Sequence, residues 1–477
     1  MTGVLLAVVS MAQALDIINV ASVTIVLPDV MQDVGYKIDQ LQWVSSAYAL
    51  AYAAFLLLGG RLGDLFGHRN IFILGVTWFS IWSVVNGAAK TAVMLSIGRA
   101  LQGMGAGFTV PSALAILTTT YPVGPARTRA LGVFGGSAAI GSIVGVLLGG
   151  ILGSTIGWRW IFYMTGIIGF FLVPLGFLVI PAEKSESKAT DRRIDFGGLL
   201  TFTAGIVCVI YYLSEGPAAG WGVAKTLTPL VVGFVSLISF VVIERKIDYP
   251  IMPLHIWQSQ RLLASCIIAI CLTAALNTHF YYASLAFQMV LEYTPLKTSF
   301  GFIAHGLGSI VAMIGFSILV GKVRTKIVLL IGWVFFIASG VVWAQLKATS
   351  SYWSIPFPSL LLNVVAMSAI WLCCQINSVA DAADEDQGVV GAVYNVSLQL
   401  GNPIGIAIGN IIANKRNAAD AFGPALLPGY RAAFYAFAAM AGVGLIVTII
   451  FAPNRDAVRA DIAQGKDEEI EGKIDID

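Results

Sequence analysis

Fourteen apolar stretches, separated by short polar turns, set the solvent in which this 477-residue chain folds. Each is long enough to cross a bilayer, which takes about 20 apolar residues in a helix. They run over about 3–27, 42–62, 70–88, 93–120, 130–153, 157–181, 195–213, 226–243, 262–290, 297–321, 326–345, 355–378, 388–413 and 430–452. In lipid, every backbone N–H and C=O must be satisfied within the protein, so such stretches become helices. Only 11% of the residues are charged, where soluble domains carry about 25%. With a mean hydropathy of +0.83, an ordinary soluble fold is excluded. The expectation is an all-α membrane protein with 14 transmembrane helices.

Charge placement gives the orientation. Of the 28 Lys and Arg residues, 18 fall in the even-to-odd turns and the C-terminal tail, 9 fall on the other side, and Arg99 lies inside a span. Lys and Arg accumulate on the cytoplasmic side, so both termini are expected in the cytosol. The turn from Asp381 to Gln387 dissents, being acidic with no basic residue. The polar stretch 182–194 separates six spans (1–181) from eight and reads as a cytoplasmic linker. The acidic tail 454–477 has the composition of a disordered segment. The first apolar run is too long for a cleaved signal and lacks a basic start. It begins almost at Met1, which leaves open an internal Met as the start. Basic residues form no stripe, so no nucleic-acid partner is expected. The five cysteines (Cys208, Cys266, Cys271, Cys373 and Cys374) lie in apolar stretches, with spacing that fits neither a disulfide framework nor a metal site.

Two charges stand inside the greasy segments. Asp16 lies in the first span, in Leu15-Asp16-Ile17-Ile18-Asn19, and Arg99 lies in the fourth. An ionisable group at that depth costs roughly 3 kcal/mol or more and marks a substrate or ion path. Arg99 needs partners, and Gln102 lies one turn away on the same face. The alternative for Arg99 is a structural role, tied to backbone carbonyls.

The turn after the second span reads Gly59-Gly60-Arg61-Leu62-Gly63-Asp64-Leu65-Phe66-Gly67-His68-Arg69. Its glycines permit close helix approach, and Asp64 is placed to pair with an Arg and cap the next helix. This turn resembles the gating motif of the major facilitator superfamily. The resemblance implies that Gly60, Arg61, Asp64, Gly67 and Arg69 belong to an ion-pair latch. His68 stands where the motif more often has Arg. The fourth span, Gly98-Arg99-Ala100-Leu101-Gln102-Gly103, resembles the superfamily's proton-coupling motif. Gly141, Gly145, Gly149 and Gly150 in the fifth span resemble its antiporter motif, although Val146 occupies the place of the usual proline. Plain helix packing is the alternative for those glycines.

Fourteen spans, the segment from Leu15 to Pro28 and Asn395-x3-Gln399-x-Gly401-x3-Gly405 are similar to the fourteen-spanner drug:proton antiporter branch, fungal-type members above all. The resemblance implies the major facilitator fold: two six-helix bundles (1–181 and 262–453) with two additional helices at 195–243. It implies Asp16, Arg99 and Gln102 in proton coupling, no cofactor and a monomer. It also implies a plasma-membrane location and a small-molecule substrate exported against protons. Fungal members of the branch carry drugs, secondary metabolites, boron or ammonium.

Candidate substrate-cavity residues are Asn19, His279, His305, Asn395 and Gln399. The aromatic residues Trp43, Tyr48, Tyr52, Phe280, Tyr281, Tyr282 and Tyr394 are candidates for its walls. A histidine switches charge near neutral pH, but a packing role is the alternative for both. A uniporter for ammonium or borate, and a non-transporting receptor, are the competing functions. No nucleophile–base pair, metal cluster or phosphate loop points to an enzyme.

Overall fold

The computed structural model describes residues 2–38, 40–121, 125–181, 195–247, 250–320, 323–382, 387–417 and 422–452. The expected linker 182–194 and tail 454–477 lie outside the described residues, as does most of the acidic turn before Gln387. Among the described residues all regular structure is helical. Fourteen helices are long and apolar enough to cross a membrane.

The first bundle comprises α1 (Thr2–Ile25), a short α2 (Leu27–Val34), α3 (Trp43–Phe66), α4 (His68–Gly87), α5 (Ala92–Thr120), α6 (Pro125–Thr155) and α7 (Arg159–Val179). The break between α1 and α2 is local chemistry. Pro28 sits in the first turn of α2, where its missing N–H costs nothing and its fixed φ suits a helix start. α8 (Phe196–Ala219) and α9 (Ala224–Glu244) pack on each other as a hairpin, and α8 leans on α3 and on α14. The second bundle holds α10 (Gln260–Leu285), α11 (Pro295–Val320), α12 (Thr325–Trp343), α13 (Pro356–Val379), α14 (Gln387–Asn414) and α15 (Leu427–Phe451).

Within the first bundle α1 packs on α6, α3 on α5, and α4 on α5 and α7. In the second, α10 packs on α14 and α15, and α12 on α13 and α15. The two bundles meet along α6–α11 and α3–α14. Small residues let backbones touch where lipid gives no hydrophobic drive between helices. At Gly59 a Cβ would lie 2.8 Å from the Phe108 Cα and 3.0 Å from the Gly107 carbonyl carbon, so the α3–α5 crossing admits glycine alone.

The outward faces carry Phe171, Leu178, Leu200, Val311 and Ile314, all exposed. Apolar side chains on the outside and polar ones within reverse the arrangement of a water-soluble protein and suit a lipid solvent.

Candidate functional site

Asp16 and Asn19, three residues apart on α1, share one face, turned into the first bundle. Asp16 is 5% exposed and Asn19 is fully buried. The Tyr48 hydroxyl of α3 donates to Asp16 Oδ1. Above the Tyr48 ring lies Arg99 of α5, its guanidinium carbon 4.3 Å from the ring centroid. Arg99 is 1% exposed, so each of its donors needs an acceptor. Nε donates to the Val44 carbonyl at 2.9 Å, and one terminal nitrogen donates to Asn19 Oδ1 at 2.6 Å and to Gln102 Oε1 at 2.7 Å.

The network continues outward. Gln102 Nε2 donates to Ser83 Oγ at 2.6 Å, and Asn86 Nδ2 donates to Gln102 Oε1 at 2.9 Å, both on α4. Asn19 Nδ2 donates to Thr165 Oγ1 of α7 at 3.2 Å. Five helices of one bundle are therefore tied at a single polar hub. On its other side Asp16 borders a cavity of about 10 Å³, lined also by Leu15, Val76, Phe79, Thr109 and Val110. That is about the room one water needs. The carboxylate thus lies between a hydrogen-bonded cation hub and a small, mostly apolar void. Such a group is chemically suited to taking up and releasing a proton.

Sequence reasoning grouped Asp16, Arg99 and Gln102, and put Asn19 among the substrate-cavity candidates, whereas its side chain joins the Arg99 hub. It put Tyr48 among possible cavity walls, whereas the ring bridges Asp16 and Arg99. It passed over Ser83, Asn86 and Thr165. Asn86 had a signal, being a lone amide in an apolar span, but serines and threonines in spans usually satisfy their own helix.

The four glycines of α6 serve two contacts. Cβ atoms at Gly141, Gly145 and Gly149 would meet the carbonyls of Ala14, Ile18 and Ser22 at 2.8, 2.7 and 2.7 Å. This seam fixes the α1 segment that carries Asp16. Ser22 Oγ adds a bond to the Gly145 carbonyl at 2.7 Å. Gly150 faces the second bundle instead, against Ser299 of α11. Ser299 Oγ also donates to the Val146 carbonyl at 2.6 Å.

At the α3–α4 turn, Asp64 lies 3.3 Å from His68, the residue that departs from the motif. The expected cap is absent. α4 starts from Gly67, in a left-handed conformation at φ +93°, and no side chain caps it. Arg69 turns away from Asp64 and donates to the Phe177 carbonyl at the end of α7, 2.5 Å away. There the last carbonyls of a helix lack internal donors. Arg61 lies half-buried on the penultimate turn of α3, and Gly60 packs at ordinary distance on Pro111. The second bundle repeats the Arg69 arrangement. Lys326, second residue of α12 as Arg69 is of α4, donates to the carbonyls of Ile449 and Ala452 at the end of α15.

His279 and His305 are joined through a residue that sequence reasoning missed. His305 Nε2 lies 3.0 Å from Asn363 Oδ1, and Asn363 Nδ2 lies 2.6 Å from His279 Nδ1. Trp343, Phe434 and Phe437 surround the His279 ring. Asn363 is the eighth residue of α13, as Arg99 is of α5. Each bundle thus has a polar hub that includes the eighth residue of a spanning helix. Among the described residues no hydrogen bond brings Asn395 or Gln399 to the histidines. Asn395 donates to its own helix at Gly391, 2.9 Å away. Gly401 and Gly405 of the same pattern seat α14 on the Ile270–Ala274 backbone of α10. The aromatic candidates do not share one wall: Trp43 Nε1 donates to Glu215 at 3.2 Å, and the Tyr282 hydroxyl to Asn410 at 2.5 Å.

Known proteins resemble this chain throughout. It is 28% identical over 446 residues to the major facilitator superfamily multidrug transporter mfsC of Aspergillus fumigatus, covering 93% of this chain and 86% of that one. It is 29% identical over 421 residues to the low affinity ammonium transporter of Saccharomyces cerevisiae, covering 87% and 81%. The crystal structure of the human organic anion transporter MFSD10 (TETRAN) superposes with a TM-score of 0.63 at 12% identity, over 93% of this chain and 99% of that one. At that identity the match speaks for the fold. The family model for the major facilitator superfamily matches residues 9–406. The chain is a multi-pass membrane transporter that belongs to the major facilitator superfamily.

Proposed function

We propose that this protein is a proton-coupled secondary transporter that exports small organic molecules by alternating access. The observation that carries the reading is the Asp16 carboxylate. It is buried beside a small void, hydrogen-bonded to Tyr48, and separated from the Arg99 cation by the Tyr48 ring. In this reading Asp16 takes the proton, and Arg99 and Gln102 hold the surroundings in register. The two bundles rock about their α3–α14 and α6–α11 contacts. Gly60, Arg61, Asp64, Gly67 and Arg69 gate the end that carries the α3–α4 turn. By the Lys/Arg bias that end and both termini face the cytosol, in a plasma-membrane monomer. Asn19, His279, His305, Asn395 and Gln399 remain the candidates for the substrate path. The resemblance to a protein named as a multidrug transporter favours organic substrates.

One observation favours a second reading, a weakly coupled carrier of a small inorganic solute such as ammonium or borate: a relative of similar identity is named an ammonium transporter. Proteoliposomes under an imposed pH gradient separate the two. Uptake of an organic cation or metabolite driven by the gradient supports export with protons. Ammonium or borate flux indifferent to the gradient supports the second reading.

A further inference from the structure

Asn363 of α13 stands between His279 of α10 and His305 of α11, and its amide gives the two rings different roles. One end of an amide only donates and the other only accepts. Nδ2 lies 2.6 Å from His279 Nδ1, and Oδ1 lies 3.0 Å from His305 Nε2. In this orientation Asn363 donates to His279 and accepts from His305. With the amide turned over, the roles exchange.

The surroundings of His279 decide between the two. The ring is fully buried, and among the described residues no carboxylate pairs with it or with His305. Its Nε2 is buried with no hydrogen-bond partner. The rings of Trp343, Phe434 and Phe437 stand around it, steeply inclined, at centroid distances of 5.7, 6.3 and 5.3 Å. The face of an aromatic ring is negative, so it attracts an N–H and repels a nitrogen lone pair. The indole nitrogen of Trp343, also buried and unpartnered, makes no bond to His279. A neutral imidazole has one donor and one acceptor. His279 therefore carries its proton on Nε2 and leaves Nδ1 bare. A bare Nδ1 needs a donor, so Asn363 turns Nδ2 to it. Oδ1 is left for His305, which brings a proton on Nε2 and leaves its own Nδ1 bare.

His305 is 7% exposed. Its Nδ1 makes no hydrogen bond among the described residues, and it is not sealed in as His279 Nε2 is. The Phe280 ring lies beside it, 4.7 Å from centroid to centroid. An aromatic neighbour favours a cation over an anion. We propose that Asn363 is a positioning residue that holds both histidines in the Nε2–H tautomer, so that His305 offers the cargo a bare nitrogen. The group it takes is a hydrogen-bond donor, an N–H or O–H, and an anionic acceptor such as a carboxylate is turned away. This rests on the reading that places His305 on the substrate path.

Nitrogen NMR of the full-length protein, isotope-labelled at histidine and held in nanodiscs at neutral pH, reads the tautomers directly. The chain has four histidines. His68→Gln and His255→Gln, both outside the hub, identify the other two signals. Both hub rings are expected with a protonated Nε2 and a bare Nδ1. Asn363→Asp replaces the donor Nδ2 by an acceptor, so His279 is expected to move its proton to Nδ1 while His305 keeps its own. A proton on His279 Nδ1 in the unmodified protein, or mixed tautomers at either ring, overturns the positioning role, whether or not Asn363→Asp folds. Ammonium chloride is expected to shift the His305 Nδ1 signal. Tetramethylammonium chloride, which has the charge but no N–H, is not. Equal shifts with both salts overturn the acceptor role. Correct tautomers with no response to ammonium overturn it too, and take His305 off the substrate path. Wrong tautomers remove the inference and leave that path untouched.

Discussion

The guanidinium of Arg99 and the ring of Tyr48 are stacked, 4.3 Å from carbon to centroid, and the Tyr48 hydroxyl continues to Asp16. Cation and carboxylate are thus linked through an aromatic ring and form no direct ion pair. A direct pair would hold the carboxylate charged through the transport cycle. The ring supplies one hydrogen bond and a cation–π contact while leaving the carboxylate open to a proton.

Tyr48→Phe keeps the ring over Arg99 and removes the bond to Asp16. A hydrogen bond to a charged group contributes about 1.5–3 kcal/mol, and each 1.36 kcal/mol is about tenfold in rate. Gradient-driven transport in proteoliposomes should fall by about ten- to a hundredfold, with expression and melting temperature near those of the unmodified protein.

Arg99→Lys keeps the charge and loses the fork. A lysine cannot serve Val44, Asn19 and Gln102 from the positions the guanidinium occupies. Each buried acceptor left bare costs about 1–3 kcal/mol. The variant should melt well below the unmodified protein in detergent, as measured by differential scanning fluorimetry. A melting temperature unchanged by Arg99→Lys would remove Arg99 from the structural hub.

Two glycines of α6 should respond in opposite ways to the same change. At Gly145 an added methyl meets the Ile18 carbonyl at 2.7 Å and its Cα at 2.8 Å, both backbone. Gly145→Ala should therefore destabilise by about 1–3 kcal/mol and impair transport, by moving the α1 segment that holds Asp16. Gly135→Ala meets nothing within 4 Å and removes a glycine from a helix interior, which stabilises by up to about 1 kcal/mol. Melting curves of the pair check the seam.

How much of this was legible before folding depended on range. The spans follow from hydropathy, because bilayer thickness and backbone satisfaction leave no other option. Asp16 and Arg99 stood out as charges in apolar runs and Gln102 by its i, i+3 spacing from Arg99, whereas Asn19 stood only as a substrate-cavity candidate. Tyr48 was visible only as one aromatic among many, since its role depends on how α3 crosses α1 and α5. Asn363 was missed because a single amide has no spacing to announce it, and its partners come from two other helices. The Asp64 cap failed to form because a left-handed Gly67 separates the two helices and His68, one turn away, takes the carboxylate.

Asp29, in the first turn of α2 and outside the spans, gives a pH prediction. Burial raises its carboxyl above the usual carboxylate range. An acid with a raised value in the folded state favours folding most at low pH, and that contribution is lost as pH rises through the folded value. Asp29→Asn removes the titration. The variant's melting temperature minus that of the unmodified protein should be smallest in acid, climb as pH rises through the acidic range, and level off towards neutral. A difference that shrinks as pH rises contradicts the burial argument.

The most direct test of the account is proton movement during transport, followed with a pH-sensitive dye trapped in proteoliposomes carrying either the unmodified protein or Asp16→Asn. The account predicts substrate-dependent proton flux in the first and none in the second, with substrate binding and melting temperature retained. Proton flux of equal size in both would contradict it.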